Sequence, residues 1–161
     1  MGIHESLGKS DEWYTPPYIF QALKAKFDLD VASPGPRTVP WIPARYHMML
    51  DSLEREWKGF IWMNPPYGCR NGIKPWVKKF IEHGNGIALV PDRTSAPWWQ
   101  FTAHNVEGIL FVSPKIKFLN EKGIPGKSPA NGSCLVGIGK KAISALGRAS
   151  SLGILTYPTK F

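Results

Sequence analysis

Asn64-Pro65-Pro66-Tyr67 follows directly on an apolar run, Phe60 to Met63, and precedes Gly68. Two consecutive prolines cannot donate to a β-ladder, so they end a strand abruptly. A residue that precedes proline is held extended, which aims the Asn64 amide and Pro65 C=O in a set direction. Tyr67 adds a flat aromatic face beside those acceptors. Such a set suits a planar ring that carries an exocyclic amine. The lone pair of that amine is delocalised into the ring, which makes it a poor nucleophile. Acceptors at the Asn64 side-chain oxygen and Pro65 C=O would hold both amine hydrogens and leave the lone pair aimed outward. Stacking on Tyr67 would hold the ring, at about 1–3 kcal/mol by analogy with base–aromatic stacks. No general base is required before attack, because the proton can leave afterwards. The bland alternative is a strand-end turn, since Asn-Pro commonly starts turns. The full tetrapeptide behind an apolar strand is more specific than that dipeptide.

The elements that must position these residues are partly visible in the pattern. Thr15 before Pro16 reads as a helix start. Ile19, Leu23 and Phe27, with Phe20 beside them, recur at helical spacing through the run from Tyr18. A short strand follows over Phe27 to Ala32 and stops at Ser33-Pro34-Gly35-Pro36. The stretch to about Tyr46 contains Pro40 and Pro43 and is expected to be loop. Asp51 to Trp57 is a polar turn or short helix. Phe60 to Met63 is a buried strand, and a glycine-containing loop from Gly68 to Gly72 comes after the tetrapeptide.

Further on, a helix from Pro75 through Ile81 turns Trp76, Val77 and Phe80 inward, and Gly84 and Gly86 stop it. Strands follow at Gly86–Pro91, Gly108–Val112 and Ser133–Gly139, with a helix from Ala96 between the first two. A weak helix (142–149) and a last strand around Ile154 to Tyr157 close the chain. Strands alternating with helices predict an α/β fold with a mainly parallel sheet. Ligands of such sheets lie beyond the carboxyl ends of strands. Asp30, Ser33 and the tetrapeptide fall on that edge.

At 161 residues the chain fits a single domain with one real core. No apolar run reaches the roughly 20 residues of a membrane span, and no apolar signal region opens the sequence. A soluble, cytoplasmic protein is therefore expected. Cys69 and Cys134 lack metal-ligand spacing and read as free thiols, and His4, His47, His83 and His104 are scattered singly. A net charge of +8 points to an anionic partner, nucleic acid above others, against the alternative of a merely solubilising surface. The segment Lys115 to Lys127 interleaves lysines with apolar and aromatic groups. Lys115, Lys117, Lys122 and Lys127 are candidate phosphate contacts, extended by Arg70, Lys74 and Arg93 together with Lys78 and Lys79. The alternative for that segment is a solvated hairpin or crossover.

Asn64 to Tyr67 resembles the catalytic motif of S-adenosylmethionine-dependent amino-methyltransferases. A wider pattern is similar to the phage DNA N-6-adenine methyltransferase (Dam) family. It comprises Trp13-Tyr14-Thr15-Pro16, Phe27 to Ala32, Asp51-Ser52-Leu53, Trp57 and Asn64 to Gly68, and downstream Leu89-Val90-Pro91, Trp98-Trp99, Phe118 and Ser133. The resemblance implies a compact, minimal, Rossmann-like methyltransferase fold that uses S-adenosylmethionine and acts on adenine in DNA. It also implies roles. Asn64, Pro65, Pro66 and Tyr67 match the catalytic motif. Asp30, with Ala32, falls in a first cofactor-binding motif. Trp13, Thr15 and Pro16 match a segment closing over the cofactor's methionine end, and Asp51 a motif near its adenine ring. Each has a structural alternative: a turn or cap for Asp30 and Asp51, a helix cap for Thr15, packing for Trp13.

Two departures stand out. The turn after the first strand holds one glycine, where such enzymes usually carry several. No acidic residue marks the end of a second strand, and that strand is itself hard to see between Arg37 and Met49. Little chain separates Asp30 from Asn64, so no separate target-recognition domain is expected, and a duplex base would have to be flipped out. The expected function is site-specific transfer of a methyl group to the N6 amine of adenine in DNA. Methylation of RNA adenine or protein glutamine, or an inactive DNA-binding relative, are the alternatives. The oligomeric state is open, a homodimer among the options.

Overall fold

Side chains alternate across a strand with period two, so each apolar strand here feeds two cores. Among the described residues, seven strands form one sheet: β1 (Phe27–Asp30), β2 (Ala44–His47), β3 (Ile61–Met63), β4 (Gly86–Pro91), β5 (Gly108–Val112), β6 (Ser133–Ile138) and β7 (Gly153–Thr156). The helices α1 (Pro17–Leu23), α2 (Lys74–His83), α3 (Pro97–Asn105) and α4 (Lys140–Arg148) flank it. The computed structural model describes residues 13–67 and 72–159. His4, Gly68, Cys69 and Arg70 lie outside the described residues.

On one face Trp62, Leu89, Leu110 and Leu135 pack with Phe20 and Leu23 of α1 and Ala145 and Leu146 of α4. On the other, Ile61, Met63, Ala88, Val90 and Val136 pack with Trp76, Val77 and Phe80 of α2 and Trp99 of α3. Trp62 is fully buried, its ring 4.7 Å from that of Phe20 and 5.6 Å from that of Phe27. No helix among the described residues is long and apolar enough to cross a membrane.

The strand order is β2-β1-β3-β4-β6-β5-β7. β2, β1, β3 and β4 run parallel, as expected. β6 runs antiparallel to both β4 and β5, and β7 antiparallel to β5. The sheet is thus mixed rather than mainly parallel. β5 and β6 are joined by a loop without a helix, and a connection of that kind links antiparallel strands, whereas a parallel pair needs a crossover. An apolar run such as Cys134 to Val136 carries no sign of its direction.

Two local expectations change. α1 begins at Pro17, with Pro16 as its N-cap residue and no side-chain cap. Thr15 is therefore not a helix cap; its hydroxyl is used elsewhere. The stretch expected to be loop to about Tyr46 contains β2, with Arg45 and Tyr46 exposed. β2 is an edge strand, so it lacks the apolar pattern that marks the central strands.

β3 is clamped at its entry. Asp28 Oδ2 accepts a 2.7 Å hydrogen bond from the Phe60 N–H. Gly59 stands against that carboxylate with φ +77°, and a Cβ there would run into Asp28. Gly59→Ala is expected to cost about 1–3 kcal/mol, from left-handed backbone strain plus the displaced carboxylate. A urea unfolding midpoint that does not move would refute this clamp.

Candidate active site

The chain runs from β1 outward to β2 and returns across the sheet to β3. The crevice between β1 and β3 is therefore a point where the strand order reverses, and ligands of open α/β sheets bind at the carboxyl ends of strands there. A cavity of about 1450 Å³ opens at this place. Asp30 to Pro34 line it from β1, Met48 to Ser52 from beyond β2, and Asn64 to Tyr67 from β3. Trp13, Tyr14 and Thr15 close one side, with Phe118 and residues 125–129. The residues singled out on β1 and β3 thus share one cavity. Pro16 stands apart from it, as the residue that starts α1.

Asn64 is held from two sides. Its Nδ2 donates to Thr15 Oγ1 at 3.2 Å, and its Oδ1 accepts from the Tyr67 hydroxyl at 3.2 Å. Thr15 is 1% exposed, so this partner is fixed by packing. Tyr67 shares its single proton with Leu89 C=O at 3.3 Å. Burial of the hydroxyl end pushes the Tyr67 pKa up, while 43% of the residue stays exposed. The ring face is thereby open while the hydroxyl is anchored. A carbonyl oxygen has two lone pairs, so Asn64 Oδ1 retains one for a ligand. Pro65 C=O has no donor among the described residues. Asn64, Pro65 and Tyr67 thus line the same cavity.

Asp30 closes β1 and is 1% exposed. Ala32 N–H donates to its Oδ1 at 3.3 Å, and His47 Nδ1 is 3.8 Å from its Oδ2. No stronger cationic partner faces it among the described residues. Burial raises its pKa to about 6, opposed by the bonds from Ala32 and Ser33. Such a carboxylate, on a cavity wall and short of donors, fits an ammonium group. Ser33 Oγ accepts from Gly35 N–H at 3.0 Å and meets His47 Nδ1 at 2.8 Å. Side-chain bonds thus order the turn that carries only one glycine.

Asp51 lines the cavity with φ +54°, a conformation aspartate tolerates better than most residues. Its C=O accepts from the N–H groups of Glu54 and Arg55 at 3.0 and 3.1 Å. Lys79 supports the same turn: its ammonium donates to the carbonyls of Ser52, Leu53 and Arg55, and lies over the Trp57 ring. Sequence reasoning grouped Lys79 with a basic surface, and it is instead a strut for the Asp51 turn. His47 was also passed over. Its link to Asp30 follows from the register of β1 with β2, where the two are Cα partners, and β2 carried no pattern to announce it.

Trp13 is 45% exposed and packs closely on Gly126, where a Cβ would enter the indole. Backbone bonds between Tyr14 and Leu119, both 2.8 Å, tie this strap to the basic loop. That loop is therefore a wall of the cavity. Lys127 lines it, while Lys117 and Lys122 are exposed. Lys115 donates to Pro129 and Ala130 carbonyls at 3.2 and 3.0 Å, which closes the loop on itself. Lys74 and Arg93 line a smaller hollow of about 190 Å³ on which Tyr67 and Trp98 also border. Arg70 is outside the described residues.

The raised Asp30 pKa has a consequence for stability. The unfolded value lies near 3.8 and the folded value at about 6, so the folded chain binds the proton more tightly. That contribution is full below about pH 4 and is lost as pH rises through about 6. Asp30→Asn removes the buried charge. It is expected to stabilise the chain at about pH 8 by on the order of 1–3 kcal/mol, with the gain vanishing near pH 4. Thermal unfolding across that range tests this, and a pH-independent difference would count against it.

The family described as DNA N-6-adenine-methyltransferase (Dam) matches residues 4–151. A DNA N-6-adenine-methyltransferase of Escherichia phage T1 is 32% identical over 111 residues, which takes in 63% of this chain and 44% of that protein. The chain thus spans less than half the length of this relative. No solved structure matches. The family match covers the strap, the tetrapeptide and the basic loop alike, and the chain belongs to the DNA N-6-adenine-methyltransferase (Dam) family.

Proposed function

We propose that this chain transfers a methyl group from S-adenosylmethionine to the N6 amine of adenine in DNA, on a Rossmann-like scaffold. The observation that carries this is the sharing of one cavity by Asp30 and the Asn64 to Tyr67 acceptors at the β1/β3 crevice. The parallel run β2-β1-β3-β4 with helices on both faces supports the scaffold assignment.

The cavity has room for a nucleoside cofactor and a base together. Asp30 would hold the cofactor's ammonium group. The Ala32 to Pro34 turn and Asp51 would border its nucleoside, and Trp13 and Thr15 its amino-acid end. Bound there, the cofactor supplies an electrophilic methyl group on sulfur. The chain's own contribution is to the acceptor. Tyr67 presents its exposed face for stacking. Asn64 Oδ1 and Pro65 C=O take the two amine hydrogens, with Thr15 keeping the Asn64 amide from turning over. Pro66 keeps the preceding carbonyl in its direction. Positioning and fixed dipoles supply most of the acceleration in such a site. The surplus proton passes to solvent after transfer.

A base inside a duplex is out of reach, so the target is flipped into the pocket against Tyr67. Lys74 and Arg93 share a hollow with Tyr67, which supports their assignment as phosphate contacts beside the target nucleotide. Lys117, Lys122 and Lys127 would extend that contact along the basic loop.

Expression in a cell lacking DNA methylation, followed by mapping of methyladenine, tests the assignment. Purified chain assayed on unmodified DNA, RNA and protein separates DNA from the other amine substrates. Asn64→Ala is expected to lower methyl transfer by at least about 100-fold, with S-adenosylhomocysteine binding retained. Near-normal turnover by that variant would sink the proposed role. The double change Lys74→Ala with Arg93→Ala is expected to weaken DNA binding. It should also flatten the plot of log affinity against log salt by about two counterions. An unchanged slope would remove both residues from the DNA contact.

A further inference from the structure

Asp30 and Ser33 face the cavity, while His47 stands behind them, on the neighbouring strand and opposite Asp30 in register. The imidazole is 9% exposed and the carboxylate 2%. Ser33 Oγ lies between the two, 2.8 Å from His47 Nδ1 and also receiving the Gly35 N–H. With Nδ1 protonated, the ring donates to Ser33 Oγ. Asp30 meets His47 at its Oδ2, 3.8 Å from Nδ1, while its Oδ1 takes the Ala32 N–H at 3.3 Å. A carboxylate turns freely about its last torsion unless donors hold it. Here it is held from both sides, and one side depends on His47. The Ala44 carbonyl also faces the ring.

We propose that His47, held by Ser33, is a positioning residue that aims Asp30 at the amino-acid end of the methyl donor. The inference rests on the donor assignment made above. It also accounts for the sparse glycine in this turn: side chains fix the carboxylate where a row of backbone amides does not.

Two ligands separate a positioning role from a structural one. S-adenosylhomocysteine carries the amino-acid end; 5′-methylthioadenosine has the same nucleoside without it. Calorimetric titration of the full chain is expected to show His47→Phe weakening S-adenosylhomocysteine about tenfold, with 5′-methylthioadenosine held within about twofold. His47→Asn, which keeps a donor near the Nδ1 position, should recover most of that loss. Ser33→Ala should reproduce the selective loss and serves as the test if His47→Phe does not fold. Equal losses for both ligands, or no loss for the first, would overturn the positioning role alone. If the unsubstituted chain binds neither ligand, the donor assignment falls and the inference falls with it.

Discussion

The parallel pairing of β1 with β3 brings the chemistry of this chain together. Leu29 lies beside Ile61 and Asp30 beside Trp62 in that register. The carboxylate that ends β1 and the amide that follows β3 therefore emerge on one edge. Side-chain direction alternates with every residue, so a slip of one position would send Asp30 to the other face of the sheet. The register is secured at the entry to β3 by Asp28 and Gly59 and across the sheet by Trp62, buried between Phe20 and Phe27. Packing well away from the cavity thus decides whether the cavity has the right walls.

Around that crevice, side chains do what backbone does elsewhere in folds of this kind. Thr15 holds Asn64, Ser33 meets the His47 ring beside Asp30, and Lys79 supports the turn that carries Asp51. Each of these supporting groups is committed to a hydrogen bond, so the side chains and turn they meet are fixed in direction. The cost is visible at Asp30, whose charge sits in a dry place with few donors. A buried carboxylate short of partners is unfavourable for folding and favourable for capturing a cation.

The strap around Trp13 and the basic loop share backbone bonds and a close contact at Gly126. One wall of the cavity is therefore also the surface on which Lys122 and Lys127 stand. A ligand in the cavity and a polyanion on the loop would act on the same segment.

The strand ends and helices were legible where local rules decide them. Pro65-Pro66 cannot continue a ladder, Gly84 takes a left-handed cap, and the apolar run before Pro91 alternates into two cores. The sequence by itself determined the chemistry on offer at Asn64 to Tyr67, because proline geometry and an aromatic neighbour leave little freedom. It did not reveal β2, since an edge strand with one solvated side lacks the apolar alternation that marks a buried strand. Nor did it reveal that β6 runs antiparallel, since burial is the same in either direction. Only the tertiary structure decided that His47 faces Asp30, that Thr15 serves Asn64 instead of a helix, and that Lys79 and Lys115 are tied to carbonyls. Those are pairings between residues distant in the chain, and their geometry is fixed by strand register and packing, which no local run of residues encodes.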